Sequence, residues 1–286
     1  MTISKRLSRN RDTIWVLIWI TGLAALWIWD LLFLNAPALY RLTIASHNTL
    51  LVGLLVVAIS AIFGWLSGIS LNALEEGRTK AGYFLLMFVF NVIRSVPQIV
   101  GILVGYILLT ILILSDVLRS PLAQLLWMSS VISMFVFLEV ADLVRERINY
   151  YKQLDFFDAM LCCGIKESRI VNVEILWKNS RAHLLHKLIS IFGVTIFLLC
   201  SIDFIVSVGL STDVSLSNFP MTLGGLLAKT DSKQDILAIG TVVTSMNNFR
   251  SLFFEHLQGI STAFLIVFTL LCIYKISNGF VRRHRL

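Results

Sequence analysis

The residues that could do chemistry are concentrated in one polar stretch, residues 155–181, which interrupts an otherwise apolar chain. Asp, Glu, Lys and Arg are more frequent there than in the whole chain, where they make up 14% of residues. The stretch mixes both signs of charge with Phe, Met and Leu, and it holds no histidine that could activate a nucleophile. Such a mixture suits recognition of a partner surface, in which charges set the register and apolar side chains supply contact area.

Two other positions could act on a ligand. Asp203 lies well inside an apolar run, where a carboxylate is costly unless it meets a cavity, a base or water. We expect it either to contact a cationic substrate or to lie near the external interface and reach water or a partner subunit. His183 and His186 share one helical face, as metal ligands can, but no third ligand is nearby. They are therefore interpreted as interfacial histidines.

Two further charged residues have structural interpretations. Glu139 lies near the inner end of an apolar run and is expected to pair with Arg145 or Arg147. Arg94 lies beside Pro97 and either braces a bend there or reaches lipid headgroups. The sequence contains no G-x-x-x-x-G-K-[ST] phosphate loop, no HExxH and no Ser/His/Asp pattern. We therefore do not expect this chain to be an enzyme.

The composition sets the class of protein. Hydrophobic residues make up 57% of the 286 residues, and the mean hydropathy is +0.83, both above the range of soluble domains. The net charge of +7 does not indicate nucleic-acid binding, because the basic residues are spread over segments between apolar runs. The cysteines form no CxxC pattern and are interpreted as reduced or packed: Cys162, Cys163, Cys200 and Cys272.

Six apolar runs approach the ~20 residues that a helix needs to cross a bilayer. They are Ile14–Leu34, Thr49–Leu71, Ile99–Ser115, Leu122–Ala141, Leu188–Val208 and Ile260–Ile276. Because Pro97 interrupts the run 83–115, Tyr83–Ile93 is predicted to be a helical lead-in on the cytoplasmic side. Leu237–Met246 is too short to cross and is assigned to an external domain or a re-entrant hairpin.

The distribution of basic residues orients these spans. With both chain ends in the cytoplasm, 19 of the 24 Lys and Arg residues lie inside and five lie outside. This places a cytoplasmic loop at 142–187 and the longest external loop at 209–259. Residues 1–47 are then a cytoplasmic segment, the first span and a short external segment, and residues 48–286 form the core.

The polar stretch is predicted to form two short helices around a break. Lys152–Cys162 precedes Gly164, which can take a positive φ and end a helix, and Lys166–Trp177 follows it. An amphipathic helix held between two spans can dock in a partner's groove or lie along the headgroups. Periodicity alone leaves both possibilities open.

At this point the residues resemble a known signature, the cytoplasmic EAA loop of ATP-binding-cassette (ABC) importer permeases. That loop reads EAA, three residues, Gly, nine residues, I-x-L-P. Here Asp158-Ala159-Met160 occupies the EAA position, Gly164 the glycine and Leu176-Trp177 the Leu-Pro pair. Asp replaces Glu, Met replaces the second Ala, Glu174 replaces Ile and Trp177 replaces Pro.

The resemblance extends over residues 48–283, to the C-type permease subunits of dipeptide, oligopeptide and nickel importers. The matching segments are Thr49–Gly64, the Arg94–Pro97 break, Leu176–Asn179, Phe219–Leu227 and Asn278–Arg283. The family's external Gly-Thr-Asp…Gly-Arg-Asp stretch before the second span is missing, and only Asn35–His47 stands there. The loop at 211–259 is also longer than is usual in the family.

The resemblance implies an all-α integral membrane protein with six transmembrane helices, the fold of type I ABC importer permeases, in a bacterial inner membrane. It implies as partners a homologous second permease, two ATPase subunits that bind ATP and Mg, and an extracytoplasmic solute-binding protein. Short peptides are the expected substrate, with nickel, polyamines or cationic antimicrobial peptides as alternatives. A non-transporting scaffold or regulatory subunit with a decayed coupling loop is a further alternative.

The resemblance also assigns residues. Those implied to couple to the ATPase are Asp155, Phe156, Phe157, Asp158, Ala159, Met160, Gly164, Ile165, Lys166 and Arg169. Those assigned to the substrate pathway are Asp203, Pro97 and Gly101. No metal ligand and no cofactor of this chain's own are expected.

Overall fold

A computed structural model describes residues 11–76, 80–207, 219–229 and 257–284, and these residues form helices without a strand. The helices are α1 (Arg11–Phe33), α2 (Ala36–Glu76), α3 (Ala81–Ser95), α4 (Gln98–Leu114), α5 (Pro121–Lys152), α6 (Asp155–Cys162), α7 (Glu167–Arg169), a π-helix termed π1 (Ile170–Asn179), α8 (Arg181–Ser207), α9 (Leu223–Lys229) and α10 (Leu257–His284). A helix satisfies its backbone groups internally, as a chain in lipid must.

Five of these helices, α1, α2, α5, α8 and α10, are long and apolar enough to cross a membrane. The pair α3 and α4 passes the same test together but bends by 90° between them, which brings the number of spans to six if the pair counts as one. The bend confirms the break predicted at Pro97. Val96, the residue before this proline, is extended with φ −86° and ψ 123°, because the proline ring disfavours helical backbone there.

The second membrane helix begins earlier than predicted. Residues 35–47 were assigned to a short external segment, but α2 already starts at Ala36 and runs unbroken for 41 residues. The Asn35 side chain accepts a hydrogen bond from the Ala38 backbone N–H at 3.0 Å and so caps the helix. Leu42 and Ala45 are fully buried in a cluster with Leu223 of α9, which gives the added turns a partner to pack on.

The most extensive contact in the bundle joins α2 to α5. Gly64 and Gly68, one turn apart on α2, face Val140 and Val144 on α5. A Cβ on Gly64 would lie 2.5 Å from the Val140 Cβ and 2.8 Å from the Phe137 carbonyl oxygen. The glycines therefore let the two backbones approach more closely than any other residue would allow.

The ion pairs differ in part from the sequence prediction. Glu139 pairs with Lys187 of α8 at 2.8 Å, so its assignment to Arg145 or Arg147 was wrong. Arg145 instead contacts Glu75 of α2 at 3.1 Å. Six residues along α5 turn Arg145 by about 240° from Glu139, so the two side chains lie on different faces of the helix. The Arg94 side chain forms an ion pair with Asp142 of α5, which corresponds to bracing of the bend, one of the two alternatives predicted for this residue. All four cysteines are free thiols.

Candidate coupling segment and its surroundings

The helix predicted to dock with a partner is α6, and it begins three residues later than expected. The helix α5 ends at Lys152, and Leu154 is extended with φ −98° and ψ 143° before α6 starts at Asp155. Asp155 and Asp158 both lie in the first turn, where the helix dipole favours negative charge, and both are exposed to solvent. This helix therefore offers an acidic end to its surroundings.

The end of α6 confirms the role predicted for Gly164, whose φ is +76°. The Ile165 N–H donates to the Met160 carbonyl oxygen at 3.2 Å, and the Gly164 N–H donates to that of Leu161 at 2.9 Å. These two bonds form a Schellman motif, in which the left-handed residue reverses the chain after the helix. A Cβ at Gly164 would meet nothing within 4 Å, so the backbone conformation alone selects glycine.

One aromatic side chain anchors α6 to the helix bundle. Phe157 is 8% exposed and belongs to the main hydrophobic core, with Met160 and Ile165 packed beside it. The Lys152 ammonium lies 5.5 Å from the centroid of the Phe157 ring and pairs with Glu167 of α7 at 2.9 Å. Lys152 thus joins the end of α5, the anchor of α6 and the start of the next helix.

The other side of α6 is exposed and partly apolar. Phe156 and Leu161 are 37% and 40% exposed. Asp155, Asp158 and Ala159 are also exposed, as are Lys166 and Arg169 beyond the turn. Two apolar side chains beside two carboxylates form a surface that suits a groove lined with apolar and basic residues.

The segment after the turn differs from the predicted α-helix Lys166–Trp177. One α-helical turn, α7, leads into π1, which extends to Asn179. The Asn179 side chain donates to the Glu174 carbonyl oxygen at 2.9 Å, five residues back. Ile170, Val171, Ile175 and Leu176 are buried in the core, whereas Trp177 is 69% exposed. The wider helix is stabilised by this buried side, which sequence periodicity alone does not reveal.

Two polar contacts tie π1 and the residue that follows it, Ser180, to the long helices α2 and α5. The Trp65 indole N–H of α2 donates to the Asn172 side-chain oxygen at 3.4 Å, and the Arg147 Nε of α5 donates to the Ser180 hydroxyl oxygen at 3.3 Å. The guanidinium of Arg147 also lies 5.1 Å from the Tyr150 ring centroid. The coupling segment, defined as residues 153–180, is therefore attached to both α2 and α5 and runs directly into α8.

Two of the residues assigned to the substrate pathway lie on one helix break. Pro97 is exposed at the 90° bend, and Gly101 lies one turn beyond it on α4. A Cβ on Gly101 would lie 2.1 Å from the Phe135 ring of α5, so this glycine permits close packing of α4 on α5. Their assignment to a pathway stays a prediction.

Asp203, the third pathway residue, is 1% exposed and contacts α9. The Thr222 hydroxyl donates to its Oδ2 at 2.5 Å, and a Cβ on Gly224 would lie 2.6 Å from the Cys200 Cα. From the other side, the Thr49 hydroxyl of α2 accepts a hydrogen bond from the Leu223 N–H at 2.9 Å. Asp203 therefore helps hold residues 219–229 in the bundle, and its role toward a substrate stays a prediction.

Replacing Thr222 by Val tests this structural role of Asp203. The change leaves a buried carboxylate oxygen without its side-chain donor, so we expect the free energy of unfolding to fall by about 1–3 kcal/mol. Thr43→Val is the matched control, because the exposed Thr43 hydroxyl bonds only within its own helix. Detergent-induced unfolding monitored by circular dichroism measures both variants, and equal losses would contradict the assigned contact.

Two polar contacts between residues distant in the chain were not predicted from the sequence. Asp30 of α1 is 1% exposed and accepts a hydrogen bond from the Ser261 hydroxyl of α10 at 2.6 Å. In the sequence, the only indication of this contact was the presence of a carboxylate within the first apolar run. The Asn48 side chain donates to the Met221 carbonyl oxygen at 2.8 Å, a pairing over 173 residues that leaves no sequence signal. Leu237–Met246 lies outside the described residues.

The histidine pair gains no metal-binding partner from the fold. Among residues 11–76, 80–207, 219–229 and 257–284, no group of three His, Cys, Asp or Glu side chains could hold a metal ion. His183 and His186 lie in the first turns of α8.

Comparison of the sequence with models of known protein families, and with curated protein sequences, finds no match.

Proposed function

We propose that this chain is a permease subunit of an ATP-driven importer, coupled to cytoplasmic ATPase subunits through α6. The observation that carries the proposal is the construction of α6: a short helix with one buried anchor, Phe157, and an exposed face that combines Phe156 and Leu161 with two carboxylates. The helix lies between two membrane-length helices, α5 and α8. The resemblance to the EAA loop of importer permeases, centred on Gly164, points to the same partner.

The attachment of α6 supports a mechanical role. Lys152 pairs with Glu167 across the turn, and Ile165 and Met160 pack on the same core as Phe157. A partner that grips α6 in one of its conformations more tightly than in another would therefore move the ends of α5 and α8 together. Such differential binding is the only means by which a partner can drive a conformational change. ATP hydrolysis and Mg binding belong to the partner, since the chain lacks a phosphate loop.

The remainder of the proposed assembly follows from the resemblance. A second, homologous permease would complete the translocation pathway, and a solute-binding protein would deliver substrate from outside a bacterial inner membrane. Short peptides are the proposed substrate class. This substrate class is tested by comparing the uptake of defined peptides in a deletion strain and in the same strain complemented with the intact gene. Unchanged uptake of every peptide would favour a metal ion or polyamine instead.

A pair of substitutions at Gly164 tests the coupling proposal. Valine is strained at φ +76° by about 1–3 kcal/mol, whereas asparagine tolerates the left-handed region. Because the surrounding space is open, size alone disturbs neither variant. We expect Gly164→Val to lose co-purification with an ATP-binding subunit and to lose transport, and Gly164→Asn to retain most of both.

The membrane body must stay folded for this comparison to hold, which size-exclusion profiles and thermal unfolding of the two variants verify. If wild-type protein never co-purifies with an ATP-binding subunit, or if the valine variant transports normally, coupling through α6 is wrong. A folded chain that binds other membrane proteins without any ATPase would instead support the scaffold or regulatory role.

A further inference from the structure

The contact between α1 and α10 contains two openings of different character. One, at the end where α1 begins and α10 ends, is lined by Trp15, Tyr274, Lys275, Asn278, Gly279 and Arg282. The other is a mostly apolar cavity of about 230 Å³, lined by leucine, isoleucine and tryptophan side chains of α1 and α10 and by residues of α2, α8 and α9. Its polar lining residues are Asp30, Ser46, Thr49 and Thr269. Neither opening belongs to the coupling segment.

The first opening carries two positive charges without an acidic partner. In the described part of the chain, neither Lys275 nor Arg282 has a carboxylate within ion-pair distance, and α10 contains no acidic residue. Asp12, the acidic residue nearest on α1, is already paired with Arg283 at 3.0 Å. The site therefore presents an ammonium and a guanidinium that can both donate hydrogen bonds to an anion.

Aromatic rings place this charged pocket at the depth of lipid headgroups. The Lys275 Nζ lies 5.9 Å from the ring centroid of Trp15 and 5.9 Å from that of Tyr274. Trp and Tyr concentrate at the membrane–water interface, and lysine reaches from there toward water. Lys275 and Arg282 lie two turns apart on one face of α10, about 10 Å along the helix, and both long side chains line the same opening.

The second opening begins one helical turn deeper. Trp19, four residues after Trp15, lines the apolar cavity and donates a hydrogen bond to Thr269 at 3.3 Å. The two openings thus lie about 6 Å apart along α1. Trp27, which also lines the cavity, is 40% exposed, so this side of the cavity lies at the outer surface of the helix bundle.

We propose that the groove between α1 and α10 binds one anionic phospholipid, with its phosphate held by Lys275 and Arg282 and an acyl chain in the apolar cavity. Basic pockets between membrane helices recognise anionic headgroups by this chemistry. A free phosphate ion would use the charged pocket alone, whereas a lipid uses both openings. The proposed lipid site does not involve an ATPase partner, so this proposal and the transport proposal can fail independently of each other.

Native mass spectrometry of the delipidated full-length protein tests the site, with phosphatidylglycerol and phosphatidylcholine of identical acyl chains as probes. We expect the first phosphatidylglycerol to bind about tenfold more tightly than phosphatidylcholine. Lys275→Gln with Arg282→Gln should remove this preference. The control, Lys80→Gln with Arg41→Gln, removes the same charge from exposed positions and should change affinity by less than about twofold.

A third variant tests the acyl cavity. Leu26→Trp fills it and should weaken both lipids to a similar degree. Arg282→Lys keeps the positive charge and should keep most of the headgroup preference. If the double variant misfolds, the comparison of Arg282→Lys with Arg282→Gln replaces it. Equal binding of the two lipids, equal loss in the charge control, or an unchanged Leu26→Trp variant, as a free phosphate ion would give, would overturn the proposal.

Discussion

Replacing Gly64 by alanine is expected to lower the free energy of unfolding by about 1–3 kcal/mol. The new Cβ would lie 2.5 Å from the Val140 Cβ and 2.8 Å from the Phe137 carbonyl oxygen, and a backbone atom cannot move aside as a flexible side chain can. Alanine has a higher helix propensity than glycine by about 1 kcal/mol. The measured loss of unfolding free energy is therefore smaller than the free energy needed to separate α2 from α5. Detergent-induced unfolding of the purified protein measures it.

Gly82→Ala provides the matched control for this prediction. Gly82 also lies in a helix, α3, but the nearest atom to its Cβ would be the flexible Leu74 Cδ2 at 3.2 Å. The gain in helix propensity should therefore prevail, and this variant should be unchanged or slightly more stable. If Gly64→Ala were as stable as Gly82→Ala, the close approach of α2 and α5 would be wrong.

Phe157→Ala is expected to detach α6 from the bundle. Truncating a buried Phe costs about 3–5 kcal/mol, and here the loss also removes the ring beside the Lys152 ammonium. Because Phe157 is the one buried residue of α6, its loss should release this helix first, and we expect protease cleavage near residues 153–166 before global unfolding. Limited proteolysis with mass spectrometry of the fragments measures this order of events.

Phe156→Ala separates folding from docking at the neighbouring position. Phe156 is 37% exposed, and its ring lies 6.3 Å from that of Tyr151, so its loss should change the free energy of unfolding by less than about 1 kcal/mol. Under the proposed function it should nevertheless weaken co-purification with the ATP-binding subunit. A Phe156 variant that retains full partner binding would remove this face of α6 from the proposed interface.

Local chemistry made part of the fold predictable. A proline in the interior of a helical run breaks or kinks the helix, and the 90° bend lies where Pro97 predicted a break. Gly164 ends α6 because glycine adopts a positive φ at little steric cost. Apolar runs of about 20 residues mark the long helices. These features depend on residue types within one or two turns of each other.

Features that depend on distant partners were not predicted. Residues 36–47 joined α2 because Leu42 and Ala45 pack on Leu223 and Leu226, nearly 180 residues away. Glu139 had been assigned to arginines nearby in sequence, but the fold brings Lys187 closer. For the same reason the division of α6 into the buried Phe157 and the exposed Phe156 needed the positions of α5 and α7.

The position of the π-helix π1 limits insertions and deletions in this part of the chain during evolution. This helix is the last one of the coupling segment, and only Ser180 lies between it and the start of α8. An α-helix advances about 100° per residue, and a single inserted or deleted residue in 170–180 would turn α8 by about that angle. Asp203 would then leave Thr222 and Lys187 would leave Glu139. Homologous sequences should therefore differ in the residue types at 170–180 far more often than in the count of residues there.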